Sequence, residues 1–409
     1  MLSRRIFLKD SALAMIGIGA APAWLARAAY GAEGSGRRKK TLVAIFQRGA
    51  VDGLNMVVPY GDAQYYSLRP TIAIPKSDVA ELDGLFGLHP ELKALKPIFD
   101  AKQLAVVEAV GSPDPTRSHF DAQDYMESGT PGRKATRDGW LNRSLPPAPS
   151  TASPVRALSL GTNLPRTLRG SNPAVAISSL ADFQIRDSAS SKTFEGMYSS
   201  SLDKILSGSG RETFNAVKIL QSVQKQNYVP SGGARYPNGK FGQSLQQVAR
   251  LIKADVGVEV AFADMGGWDT HVNEVGARPT LGPLANLLGE FGNGLAAFYR
   301  DLGDRVEDVV VVTMSEFGRT ARENGNRGTD HGHANVMLVM GGGVIGGKIY
   351  GEWPGLEREQ LYEGLDLALT TDFRDVLGEL VGGQLGNREM AKVFPEHTAK
   401  QTHGLLRRS

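Results

Sequence analysis

The chain has 409 residues, of which 41% are hydrophobic, 22% charged and 7% aromatic, which excludes a disordered or fibrous protein. It has no cysteine, so a disulfide scaffold, a zinc finger, an iron–sulfur site and a cysteine nucleophile are all excluded. The net charge of +3 is local: residues 1–28 carry Arg4, Arg5, Lys9 and Arg27 against Asp10, the remainder balances, and nothing argues for nucleic acid.

The N-terminal pattern Ser3-Arg4-Arg5-Ile6-Phe7-Leu8-Lys9 resembles a twin-arginine (Tat) export signal. An apolar stretch from Ala12 to Leu25 follows, too short for a membrane span, and Ala26-Arg27-Ala28 supplies a small-residue cleavage site. Residues 1–28 are therefore expected to be a signal peptide and 29–40 a polar linker. The Tat translocase is the partner expected during export, and the periplasm or the extracellular space the destination. No membrane span is expected after processing.

Bounded apolar runs predict buried strands at Thr41–Phe46, Leu104–Val110, Val256–Ala263, Val309–Thr313 and Val336–Met340. Helical spacing predicts helices at Leu92–Asp100, Phe241–Ile252 and Leu284–Leu302, with helical turns at Leu361–Leu369 and Asp372–Leu380. Residues 185–245, rich in Ser, Gln and Gly, read as a helical insertion or cap that shapes the substrate mouth. Gly341–Lys348 has phosphate-loop spacing, but Ile349 stands where a Ser or Thr is needed, so it reads as a glycine-rich turn. Alternating strands and helices predict an α/β fold: a three-layer α/β/α sandwich with a mostly parallel central sheet. One domain spans 41–390, and 391–409 is a tail.

Polar clusters sit where these strands end, which is where open α/β sheets bind ligands. They are Asp52-Gly53, the run Asp114 to Asp121, Asp269-Thr270-His271, Glu316-Phe317-Gly318-Arg319 and Asp330-His331-Gly332-His333. Four of the seven histidines, His119, His271, His331 and His333, fall inside them. Carboxylates and imidazoles converging at strand ends suit a hydrolytic site with two metal ions about 4 Å apart, clamping the attacking and leaving oxygens. The expected ligands are Asp52, Asp269, His271, Glu316, Asp330, His331 and His333. The expected cofactor is one or two divalent ions, of zinc, manganese, iron or calcium.

These motifs together resemble the Tat-exported bacterial family called domain of unknown function 1501. The resemblance runs from about residue 40 to 390 and rests on Arg48-Gly-x-x-Asp52-Gly-Leu-Asn55, Ser112-Pro-Asp-Pro-Thr-Arg-Ser-His-Phe-Asp-Ala-Gln-Asp124, Gly267-Trp-Asp-Thr-His271, Ser315-Glu-Phe-Gly-Arg-Thr320 and Thr329-Asp-His-Gly-His333. That family looks like a branch of the alkaline phosphatase and sulfatase superfamily. The resemblance implies an alkaline-phosphatase-like fold with Asp52 as the first metal carboxylate. Ser118 is then the nucleophile, and His331 or His333 the late metal histidine. Phe317 stands where the family pattern expects a metal-binding His. Pro113 occupies the position a formylglycine sulfatase must oxidise, which argues against that enzyme.

The reading that follows is an exported metal-dependent hydrolase of phosphoesters or sulfoesters, acting on a small-molecule or polymer ester. Ser118 attacks, and Arg117 or Arg319 binds the oxyanion, since a guanidinium fork suits phosphate. Two alternatives stay open: a non-catalytic, metal-stabilised binding or assembly protein, and a phosphotransferase or mutase.

Overall fold

The structure, a computed structural model, describes residues 38–147, 152–180 and 204–407, with side chains in the helix that begins at 204 described from 215 onward. The expected signal peptide 1–28, most of the linker 29–40 and residues 185–203 of the expected insertion lie outside the described residues.

A central sheet is built from β1 (Thr41–Gln47), β2 (Leu104–Gly111), β3 (Ala157–Leu160), β4 (Val175–Ile177), β5 (Val260–Met265), β6 (Val309–Ser315), β7 (Asn335–Gly341), β8 (Ile349–Tyr350) and β9 (Thr371–Asp372). Its order is β8-β2-β7-β6-β1-β5-β3-β4, with β9 also paired to β2. All pairings are parallel except those of β7, which runs against both β2 and β6.

The residue order explains why both faces are covered. Along β1, Val43 and Ile45 point into one core while Leu42, Ala44 and Phe46 point into the other, and β6 alternates likewise. The first core is closed by α2 (Lys204–Lys225), α3 (Lys240–Lys253) and α4 (Pro283–Leu302), through residues such as Leu220, Leu245, Phe291 and Phe298. The second is closed by α1 (His119–Ser128) and α5 (Phe373–Leu380), with Trp140 and Phe394 stacked beside them. The fold is thus a mixed α/β sandwich of three layers around a mostly parallel sheet, as expected.

Two expectations fail. Leu361–Leu369 forms turns held by bridges from Asp366 to Thr320 and Tyr362, not helical turns. The leucine spacing serves separate contacts there. Within the expected tail 391–409, Leu405 is buried in the second core, and Glu379 accepts hydrogen bonds from the amides of His403, Gly404 and Leu405.

The described part of the 185–245 segment is no cap over the strand ends. Its α2 packs into the first core, and Tyr228, Ser231 and Tyr236 bond to buried Asp301 at the end of α4. That end leads into the start of β6, so this packing lies at the amino edge of the sheet. Among the described residues no helix is long and apolar enough to cross a membrane.

Candidate metal centre

The reversed β7 decides what gathers at the carboxyl edge. Because it runs against its neighbours, the residues before it arrive where the other strands end. Residues 318–320, just after β6, pair with 330–333 through Gly318 N to His333 O at 2.8 Å, Thr320 N to Asp330 O at 2.9 Å and Gly332 N to Gly318 O at 2.8 Å. This clamp sets His331 beside the ends of β1 and β5.

From β5 the chain turns through Gly267, at φ +97°, and buried Trp268, whose indole donates to Met265 O at 2.8 Å. Gly49, at φ +115°, lies so close that a Cβ there would meet Asp269 N at 2.8 Å. A side chain at 49 would push Asp269 away. His119 opens α1, directly after Ser118.

Four side chains converge. His331 Nε2 lies 2.9 Å from His119 Nε2, 2.9 Å from His271 Nε2 and 3.3 Å from Asp269 Oδ1. Asp269 Oδ1 lies 3.0 Å from His271 Nε2 and 3.5 Å from His119 Nε2. His119, Asp269 and His331 offer ligand atoms within 4.8 Å of one another.

Each imidazole is oriented from behind. His119 Nδ1 meets Glu316 Oε1 at 2.8 Å, His271 Nδ1 meets Asp330 Oδ1 at 3.2 Å, and His331 Nδ1 meets the carbonyl of Arg117 at 2.9 Å. All three partners are acceptors, which assigns the proton to Nδ1 and turns the Nε2 lone pairs inward. Three lone pairs facing one another need a shared cation or extra protons.

Glu316 is itself fixed, accepting from Gly49 N and from Gln123 Nε2, both at 2.8 Å. Burial pushes its carboxyl up, but hydrogen bonds from His119 and Gln123 outweigh that and hold it below its ordinary value. The same bond to Glu316 raises His119. Burial, then the charges of His119 and Arg319, lowers His331. For Asp269, burial raises the pKa, but the hydrogen bond and charge of Arg319 prevail and lower it. At neutral pH the cluster therefore offers an ionised Asp269 and a neutral His331, the forms that bind metal.

The donor set fits an ion. A tetrahedral zinc with bonds near 2.1 Å needs ligand atoms about 3.4 Å apart. Five of the six pairs among the four ligand atoms lie 2.9 to 3.5 Å apart, near that value, and His119, Asp269 and His331 form the set whose ligand atoms all lie within 4.8 Å of one another. Imidazole nitrogens suit zinc or iron rather than calcium, which takes oxygen ligands.

The expected site residues separate accordingly. Asp269, His271 and His331 come together, while Glu316 and Asp330 stand behind histidines. Asp52 is elsewhere: it is fully buried, with Arg69 Nη1 at 2.5 Å and Nη2 at 3.0 Å. A guanidinium already neutralises it, so the expected metal role does not fit. His333 turns away and stacks on Tyr362, ring centroids 4.5 Å apart.

Phe317 lies 4.9 Å from the His119 ring and 5.0 Å from the His331 ring, as an apolar wall. Neither arginine offers itself to an oxyanion. Arg319 is buried and donates to Ala50 O, Gly49 O, Trp268 O, Thr329 O and Asp269 Oδ1. Arg117 is ion-paired with Asp366 at 2.5 Å and Glu363 at 3.2 Å. Ser118 is exposed at the N-cap of α1, and its hydroxyl makes no capping bond. His119 is absent from the expected ligands; its place beside the expected nucleophile in a polar cluster was the available signal.

No curated protein matches the chain. Among solved structures it is similar to the C-terminal periplasmic domain of EcEptC from Escherichia coli, complexed with Zn, at 11% identity and a TM-score of 0.30, over 75% of this chain and 74% of that one. It is similar to the PsFucS1 sulfatase from Pseudoalteromonas sp. at 12% identity and a TM-score of 0.38, over 94% of this chain and 78% of that one. It is also similar to a protein in the alkaline phosphatase superfamily from Vibrio parahaemolyticus at 11% identity and a TM-score of 0.33, over 77% and 63% of the two chains. The family model described as a protein of unknown function, DUF1501, matches residues 39–395, and the chain belongs to that family.

Proposed function

We propose that the chain is a metal-dependent hydrolase of phosphoesters or sulfoesters that holds one divalent ion, zinc fitting best. The observation that carries this reading is the convergence of three Nε2 atoms and Asp269 Oδ1, with an acceptor behind every imidazole. His119, His271, His331 and Asp269 would hold the ion. When bound, it would supply Lewis acidity to an ester oxygen. One ion is the count because Asp52 is committed to Arg69, and Phe317 puts a ring beside the cluster where a further ligand was expected.

The chain's own residues do the remainder. Ser118, exposed beside His119, is the nucleophile: its hydroxyl oxygen attacks the phosphorus or sulfur, the bond to the ester oxygen breaks and the alcohol leaves with the serine proton, and water then cleaves the Ser118 ester to free phosphate or sulfate and restore the hydroxyl. Glu316 holds the His119 ring in its tautomer, and Asp330 holds that of His271. Arg319 keeps Asp269 ionised and ties the three loops together. The Ser3–Lys9 pattern supports a location outside the cytoplasm, reached by Tat export.

The test is elemental analysis of chelator-free protein, followed by an ester panel on wild type and Ser118→Ala. One equivalent of metal in both proteins, with turnover lost only in the variant, is expected. Unchanged turnover in Ser118→Ala overturns the nucleophile. The committed arginines favour a second reading, a metal-stabilised binding protein, and bound metal with no turnover of any ester would select it. Phosphorylated Ser118 without net hydrolysis would select a phosphotransferase.

A further inference from the structure

A buried carboxyl outside the cluster touches two of the loops that build it. Glu274 is fully buried, and its Oε2 accepts from the hydroxyl of Thr329 at 2.9 Å and from that of Thr270 at 3.2 Å. Thr270 stands between Asp269 and His271, and Thr329 stands just before Asp330 and His331. The two loops run side by side here. Asn273 N donates to Asn326 O and Glu274 N to Arg327 O, both at 2.9 Å. Gly328 lies so close to the first loop that a Cβ there would meet His271 O at 2.4 Å. The carboxyl is itself tied to the scaffold, because the Glu274 carbonyl accepts from Leu284 N at 3.1 Å at the start of α4.

The other side of the group faces the end of β1. Glu274 Oε1 accepts from Asn55 Nδ2 at 3.4 Å, and the carboxyl shares a hydrogen bond with Asp52, whose two oxygens hold Arg69. Arg319, also near, is already paired with Asp269. Two carboxyls closed off from water around one guanidinium carry an excess negative charge unless one keeps a proton. Arg69 ionises Asp52, so the proton stays on Glu274. Burial, then the charge of Asp52, accordingly pushes Glu274 well above its ordinary value. A neutral carboxyl donates one hydrogen bond and accepts others, so it can serve Asp52 and both threonines at once.

We propose that Glu274 is a positioning residue that locks the loop of Asp269 and His271 against the loop of Asp330 and His331, and so fixes the spacing of their ligand atoms. This rests on the proposed metal centre and names what preorganises it. Glutamine has the same shape, with an amide N–H for Asp52 and a carbonyl for the threonines, so Glu274→Gln keeps the lock and Glu274→Ala removes it.

Two measurements on the full chain test this: zinc affinity by competition with a chelator, and amide hydrogen exchange of the metal-free protein. Glu274→Ala is expected to weaken zinc binding about 10–100-fold, as the loss of a group that orients ligands does. It should also speed exchange at 270–274 and 326–332 while β1 and α4 exchange as in wild type. Glu274→Gln should match wild type in both. Thr270→Val and Thr329→Val each cut one arm, so each should weaken zinc binding less, and neither should weaken it further once Glu274 is alanine. If Glu274→Ala does not fold, these two isosteric variants carry the same readings.

Loop exchange that stays at the wild-type rate in Glu274→Ala overturns the proposal, and so does an unchanged zinc affinity. Exchange that quickens equally in β1 and α4 overturns it too, since Glu274 would then support the whole fold and not the two loops. So does Glu274→Gln behaving like Glu274→Ala. If wild type takes up no zinc, the metal-centre reading falls, and loop exchange alone decides whether Glu274 locks the two loops.

Discussion

Two acidic centres lie at the carboxyl edge of the sheet, and they meet opposite fates. Around Asp269 the positive partner is incomplete: Arg319 reaches one carboxylate oxygen, and three imidazole lone pairs face the same point. Around Asp52 the partner is built in. Arg69 clasps both carboxylate oxygens and is itself held by Asn55 Oδ1, Ala321 O and Thr320 O. Burial pushes Asp52 up, but Arg69 outweighs it and holds the carboxyl low. Nearby Glu274 is driven well above its ordinary value by burial and then by the charge of Asp52. The same residue type at the same edge is a candidate ligand in one place and a structural ion pair in the other. What separates them is whether a cation of the chain reaches the carboxylate first.

The largest effect that would break this contrast is at the open centre. Asp269→Asn with His331→Ala should take the bound metal from one equivalent to none by elemental analysis, whereas His333→Ala should leave it at one. At the closed centre Arg69→Ala should cost about 3–5 kcal/mol in denaturant unfolding, since it leaves a buried charge alone. Pairing Arg69→Met with Asp52→Leu should recover most of that loss. If Arg69→Ala instead gains a second equivalent of metal without loss of stability, the closed centre is a blocked ion site rather than a strut.

A smaller effect sharpens the role of the supporting groups. Glu316→Gln should weaken metal binding about 10–100-fold, measured by competition with a chelator, because it loosens the tautomer of His119.

The smallest effect concerns a third acidic group, with no cation paired to it among the described residues. Glu108 is buried in β2, with Oε1 unpartnered, and burial raises its pKa well above 4.5. Its folded-state pKa lies above the unfolded one, so its contribution is present at low pH and fades as pH rises. Glu108→Gln should therefore gain on the parent by on the order of 1 kcal/mol between pH 5 and pH 7. Asp52 has the opposite sign. Its contribution is present above the unfolded-state value near 3.8 and is lost as pH falls through the lower folded value.

The contrast also explains what could be read from the sequence. Apolar runs such as Thr41–Phe46 and Val309–Thr313 announce buried strands because both faces of the sheet are covered. Ala157–Leu160 and Val175–Ile177 went unread because they are edge-side strands of four and three residues, too short for a period to show. Asp269, His271 and His331 were legible from residue type and place alone. Arg69 was not, because nothing in Ser67-Leu68-Arg69-Pro70 marks it as the partner of Asp52. The fates of Arg117 and Arg319 were hidden for the same reason: a motif shows an arginine, not which oxygens hold it.

The reversed strand has one more consequence. Glu316, Arg319, Asp330 and His331 all belong to a single excursion between β6 and β7, two neighbours in both sequence and sheet. Half of the centre is therefore a local cassette, joined to the scaffold at two fixed points. Such a unit can be exchanged, lengthened or recombined as one block while the parallel strands keep their registers. His119 and Asp269, arriving from distant parts of the chain, are the fixed posts to which any replacement would have to fit.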